Sequence, residues 1–325
     1  MKIFGKFTLL AALAILAFGP AMSASAQAYP NKSIKLIVGF GPGGVGDLTA
    51  RIVAQKLSTQ LGQQILIENK PSAGGIVAAD MAAKAAPDGY TMFLMSNGNA
   101  VSASLFKKVP FDIVSDFAMV STLGFFDLAV AVKGDSQFKT MKDLLAYLKK
   151  NPGKVNIGTI NVGSTQNLAA ELFLSMTKAD AMIVPYKGSP DVLVALRGND
   201  VQMDFDMLAP LTAQAKSGTV RILAVTGDRR WVSLPDVPTL DESGVSGYRA
   251  SSWNAICFPA KTPQAIVDKM NREILFALSA PEVRAKLLEL GIDARGSTSQ
   301  DMKSLVISDT EKWRAVIKRA KIEQQ

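Results

Sequence analysis

Two glycine-bearing stretches hold the residues best suited to chemistry. The first, Gly39-Phe40-Gly41-Pro42-Gly43-Gly44-Val45-Gly46-Asp47, lies where an apolar run ends and a helical pattern begins. Glycines let the backbone approach a bound group closely, and the free N–H groups at a helix start, with the positive end of its dipole, favour an anion. The second, Gly158-Thr159-Ile160-Asn161-Val162-Gly163-Ser164-Thr165-Gln166-Asn167, follows the same logic and adds hydroxyls. A carboxylate or phosphate suits either loop. Each also has a plainer role, with Asp47, Ser164 or Thr165 as helix caps. Neither loop contains Arg or Lys, so selectivity is expected from neutral donors and shape rather than a cationic clamp.

Gly39, Gly41 and Gly44 also satisfy G-x-G-x-x-G, and Glu68 ends the next strand about where a ribose-binding acid belongs. A Rossmann-type dinucleotide-binding enzyme is therefore the competing reading. Against it, Pro42 withholds a backbone donor from the turn, and an exported protein rarely meets NAD. A nucleoside-triphosphate loop is weaker still, because no Lys-Ser/Thr follows the last glycine.

The chain has no histidine and one cysteine, Cys257, in the apolar segment Ala255-Ile256-Cys257-Phe258. A His-containing triad, a His/Cys zinc site, a His-ligated haem and an intramolecular disulfide are excluded, leaving rarer dyads such as Ser-Lys. No catalytic residue, metal or cofactor is expected. The net charge of +8 falls to +6 without Lys2 and Lys6, and the cations are scattered rather than interleaved with aromatics, so no nucleic acid is expected.

The opening residues read as a signal peptide over 1–28. Lys2 and Lys6 precede the apolar run from Phe7 to Phe18, and Ala24-Ser25-Ala26 followed by Gln27-Ala28 suits cleavage after 26 or 28. The run is shorter than a membrane span and ends at Gly19-Pro20. A periplasmic, monomeric protein is expected.

Stepping along the remainder, apolar strand-like segments alternate with helical ones: Ile34 to Val38, Asp47 to Leu61, Gln64 to Glu68, Gly74 to Ala86, Thr91 to Met95. The pattern restarts at Phe117 to Val132 and runs through a second α/β unit to Arg221–Val225. Leu234-Pro235-Asp236-Val237-Pro238 is a stiff connector, Trp253 to Pro259 returns as a strand, and the rest is helical. The expectation is an α/β protein of two domains, each a helix-covered, mostly parallel sheet, with a ligand cleft between them. Domain I takes 29–129 plus 252–325 and domain II takes 130–251.

At these residues the chain resembles the periplasmic receptors of tripartite tricarboxylate transporters, the Bug receptors. The resemblance covers Tyr29-Pro30, Phe40-Gly41-Pro42-Gly43-Gly44 with Asp47, Glu68-Asn69-Lys70-Pro71, Ala73-Gly74-Gly75 and Ala86-Pro87-Asp88-Gly89-Tyr90-Thr91. It continues at Val184-Pro185-Tyr186-Lys187-Gly188, Phe205-Asp206, Leu234-Pro235-Asp236-Val237-Pro238-Thr239, Ser252-Trp253 and Thr262-Pro263. It implies a Venus-flytrap periplasmic-binding-protein fold, no catalysis, delivery to membrane transporter subunits, and a small carboxylate held by backbone amides, hydroxyls and water. By matching position, Phe40, Gly41, Gly43, Gly44 and Asp47 form the first turn, and Ser96 and Asn97 end the third strand at the cleft. Thr159, Gly163, Ser164, Thr165 and Asn167 belong to the second turn, with Tyr186 and Asp206 near the cleft. A ligand-presenting subunit of a sensor would share this fold. Departures fall where the resemblance places ligand choice, at Gly46, Asn167, Met207 and, at the far end of the pocket, Asn254 and Ala255, where the family commonly carries Thr, His, Asn and small residues.

Overall fold

Ile34–Val38 form strand β1, whose four apolar residues are buried while Lys35 is exposed. A strand buried on both faces wants parallel partners and helical cover. β2 (Ile65–Asn69) and β3 (Thr91–Ser96) supply the first, pairing Leu36 with Ile67 and with Met92. Helices α1 (Val45–Leu61) and α2 (Ile76–Ala83) supply the cover, and α3 (Asn97–Leu105) leaves directly from β3. The computed structural model describes residues 29–43 and 45–325; the expected signal peptide, both cleavage positions and Gly44 lie outside the described residues.

The long strand β4 (Phe117–Lys133) joins two strand groups. Its first half lies antiparallel to β9 (Ser251–Pro259), pairing Phe125 with Trp253. Its second half lies antiparallel to β7 (Met203–Met207) and β8 (Val220–Val225). Beyond β7, β5 (Asn156–Ile160) runs parallel to both β7 and β6 (Met182–Tyr186). The order is β2-β1-β3-β9-β4-β7-β5-β6, with β8 and the short β10 (Asp293–Ala294) also on β4. The sheet is thus mixed at its centre. Parallel pairs need helical crossovers, whereas β4 and β9 carry the chain out to the second lobe and back, which sets them antiparallel.

Helices α4 (Met141–Lys150), α5 (Thr165–Thr177), α6 (Ser189–Gly198) and α7 (Leu208–Lys216) belong to the second group. α8 (Gln264–Ser279) and α9 (Pro281–Glu289) pack on the first, against α1. The last helix, α10 (Ser299–Ala320), straddles both lobes. Met302 and Val306 join the first core with Trp253 and Cys257, while Trp313, Val316 and Ile317 join the second with Leu168 and Phe173. The C-terminal helices therefore do more than return to the first lobe. Each large apolar side chain so buried contributes about 1.5–3 kcal/mol, which makes α10 a strut between lobes.

Among the described residues no helix is long and apolar enough to cross a membrane. No group of three or more His, Cys, Asp or Glu residues among them is placed to hold a metal ion.

Candidate functional site

The two glycine loops are built alike. Gly43 adopts φ 82° and Gly163 φ 79°, the left-handed region that glycine enters without penalty. In each, the glycine N–H donates to the side chain four residues on: Gly43 to Asp47 Oδ2 at 2.9 Å, Gly163 to Asn167 Oδ1 at 3.0 Å. That bond folds the chain back onto the helix it is about to enter. The shared geometry was not visible as a shared sequence, because one acceptor is a carboxylate and the other an amide.

Asp47 is 1% exposed and fully engaged. Besides Gly43, Arg51 Nε donates to Oδ2 at 2.9 Å and Asn69 Nδ2 to Oδ1 at 2.8 Å. Burial pushes its carboxyl up, but the bonds from Arg51, Gly43 and Asn69, with the charge of Arg51, leave it below its ordinary value. In the second loop Asn167 Nδ2 donates to Thr159 Oγ1 at 3.5 Å, and Ser164 Oγ caps α5 by accepting from Asn167 N–H at 3.1 Å. Asp47, Thr159 and Asn167 hold their loops from behind.

The start of α3 meets the second loop at the cleft. Asn97, fully buried, donates from Nδ2 to Thr165 Oγ1 at 3.1 Å and accepts from Trp313 Nε1 at 2.8 Å. Gly163 lies so close to α3 that a Cβ there would come within 2.6 Å of Leu105 Cδ2. Around this junction lie two cavities. One, of about 330 Å³, is lined by Phe40, Ser96, Ser164 and Thr165 together with Gln166, Ser252 and Asn254, and by apolar Val45, Phe126, Met207 and Leu208. The other, of about 420 Å³, shares Phe40, Ser96, Ser164 and Thr165 and extends past Gly74 and Gly163 towards Phe106. No lysine or arginine lies among the described residues lining either. A wider cavity of about 590 Å³, lined by Arg229, Arg230, Arg284 and Arg295, touches neither glycine loop.

Of the residues singled out from sequence, Phe40, Ser96, Ser164 and Thr165 line both cleft cavities and Gly163 lines one. Gly41 and Gly43 do not line them, Asn97 ties the start of α3 to the second loop, and Gly44 is not among the described residues. Tyr186 sits at a separate open depression with Asn161 and Lys187, its ring partly buried against the second lobe's core. Asp206 is buried beneath the cleft, accepting from Gln166 Nε2 at 3.2 Å, Ser189 Oγ at 2.8 Å and Met207 N–H at 2.7 Å. Burial raises its pKa against those three bonds. Through Gln166 it fixes a wall of the cavity.

Among the polar lining residues, Asp127, Gln166 and Ser252 are not singled out from sequence, whereas Asn254 is marked there as a departure at the far end of the pocket. The available signal was alternation. In β9, Trp253, Ala255 and Cys257 enter the first core, so Ser252 and Asn254 point the other way, into the cleft.

The arrangement suits an anion. The first N–H groups of α3 and α5 lack intrahelical acceptors, and the hydroxyls of Ser96, Ser164 and Thr165 stand beside them. Comparison with known proteins places the chain in a family. The profile described as "Tripartite tricarboxylate transporter family receptor" matches residues 49–322. BugT of Bordetella pertussis is 32% identical over 302 residues, covering 92% of this chain and 93% of its own. The solved periplasmic binding protein BugD is 29% identical with TM-score 0.72, covering 91% of this chain and all of its own. R. palustris Rpa4515 with adipate is 32% identical with TM-score 0.74, covering 89% of this chain and 97% of its own. The fold is the two-domain periplasmic-binding-protein fold, and the chain belongs to the tripartite tricarboxylate transporter receptor family.

Proposed function

We propose that this protein is an extracytoplasmic solute receptor that captures a small carboxylate between its two glycine loops and delivers it to membrane subunits of a tripartite tricarboxylate-type transporter. It works as a periplasmic monomer, without a cofactor, and leaves its ligand unchanged. The observation that carries this reading is one cavity lined by the first loop at Phe40, Val45 and Gly46, by Ser96 before α3, and by the second loop at Ser164, Thr165 and Gln166, with no cation among the described lining residues. Such a site recognises an anion with preorganised neutral donors. The adipate held by the R. palustris relative supports the ligand class.

The lobes 29–129 plus 252–325 and 130–251 act as jaws in this reading. Each helix start contributes about 0.3–1 kcal/mol towards an exposed anion, too little alone for capture, so both loops must close on one ligand. Water exclusion then strengthens every bond in the site, and the closed shape is what the membrane partner reads.

A thermal-shift screen over mono-, di- and aromatic carboxylates tests the reading, because a ligand at about 100 times its Kd stabilises by about 2.7 kcal/mol. At least one carboxylate should raise Tm and be recovered intact after incubation. A shift with NAD and with no carboxylate points instead to the dinucleotide-binding enzyme.

A further inference from the structure

Asn254 is 1% exposed, lines the cleft cavity, and has neither side-chain end paired: Nδ2 and Oδ1 are both buried without a protein partner. Buried amides in folded proteins are almost always satisfied, so one with both ends unpaired in the wall of a binding cavity points to a bound group. Its placement is enforced. β9 pairs Asn254 with Ser96 on one side and Gly124 on the other, and alternation sets it on the sheet face opposite Trp253 and Ala255, where it forms part of the cavity wall.

Resting on the carboxylate-receptor reading, we propose that Asn254 is the specificity-determining residue of the cleft, and that the ligand carries at its second end a neutral donor–acceptor group, a primary carboxamide, rather than a second carboxylate. An ionised carboxylate only accepts. It could take a hydrogen bond from Nδ2, but would leave Oδ1 facing its own lone pairs. The carboxyl of Asp127, which also lines this cavity, would add to that repulsion, with no lysine or arginine among the described lining residues to offset it. A primary carboxamide answers both ends, its oxygen accepting from Nδ2 and its NH2 donating to Oδ1. A cavity of about 330 Å³ has room for a short chain joining the two ends. Selectivity then comes from repelling the diacid as well as from pairing with the amide.

Calorimetric titration of the mature protein with matched pairs decides this: succinate and succinamate, glutarate and glutaramate, adipate and adipamate, isophthalate and its monoamide. In at least one pair the monoamide should bind about tenfold tighter than the diacid, as expected where buried polar groups would otherwise stay unpaired. Asn254→Leu should abolish that preference, and Asn254→Asp should weaken both members, with circular dichroism confirming the fold. Diacids bound as tightly as their monoamides in every pair that binds overturn the proposal while leaving the carboxylate receptor intact, and so does a preference that survives in Asn254→Leu. Should a variant fail to fold, the wild-type comparison still decides. Binding of no member of any pair overturns both readings.

Discussion

Asn97 on α3 donates from Nδ2 to Thr165 Oγ1 at the start of α5, 68 residues along the chain, and so ties the first lobe's third strand end to the second lobe's glycine loop. Trp313 Nε1 holds the other end of the same amide at 2.8 Å, so the strut helix α10 joins the contact. Thr165→Val removes one partner and leaves a buried Nδ2 unpaired, at a cost of about 1–3 kcal/mol. Urea unfolding should show that loss, and small-angle scattering of the ligand-free variant should show a larger radius of gyration. Unchanged values in both would make the contact incidental.

The likeness of the two loops predicts how Asp47 tolerates change. Asp47→Asn reproduces the amide that Asn167 presents to Gly163 and keeps the Gly43 bond, but it loses the Arg51 ion pair and turns its Nδ2 towards Asn69 Nδ2, which now donates to Asp47 Oδ1. It should cost about 1 kcal/mol, less than Asp47→Ala, which strands the buried turn, removes all three bonds, and should cost about 2–3 kcal/mol and weaken carboxylate binding. Equal losses in the two variants would contradict the shared design. Because the Asp47 pKa is lower folded than unfolded, its contribution is present above the unfolded value near 4 and is lost as pH falls through the folded one.

Asp127 behaves oppositely. Only 7% exposed where β4 passes between lobes, it accepts from Ser251 Oγ at 2.7 Å, and burial pushes its pKa up to about 6 against that bond. Asp228 and Asp293 add to the rise, and Arg295 opposes it. The folded protein therefore binds an extra proton between the unfolded value near 4 and about 6, so stability falls as pH rises through that window. Asp127→Asn should raise stability by about 1–3 kcal/mol at pH 7.5 and by nothing near pH 3.5. A gain that does not vary with pH would refute this origin.

Cys257 is fully buried and burial pushes its thiol pKa well up. It should resist Ellman's reagent in native buffer and react fully in guanidinium. Rapid native labelling would show that the β9 core opens.

Much of this molecule is legible in its sequence, and what is not has identifiable physical causes. The loops around Gly43 and Gly163 stand out because an apolar strand, a glycine and a helix start occur in that order. Helix α3 is hidden, since Asn97-Gly98-Asn99 reads as a turn; its start is secured by Asn99 Oδ1 accepting from Ser96 N–H at 2.9 Å. Gln166 looks like a solvated first-turn residue until Asp206, forty positions away, is seen to hold it. Asn254 is visible as a polar residue in an apolar strand, but which way it faces depends on β3 and β4 on either side. Properties of single segments show in sequence; pairings between distant ones do not.

The most direct test is a crystal structure of the protein with whichever carboxylate gives the largest thermal shift. The bound carboxylate should lie in the cleft, within hydrogen-bond distance of atoms from the first lobe at Phe40 or Ser96–Gly98 and from the second at Ser164–Gln166. A carboxylate held by one lobe alone, or bound at the arginine-lined cavity beside Trp231, would contradict capture between two matched loops.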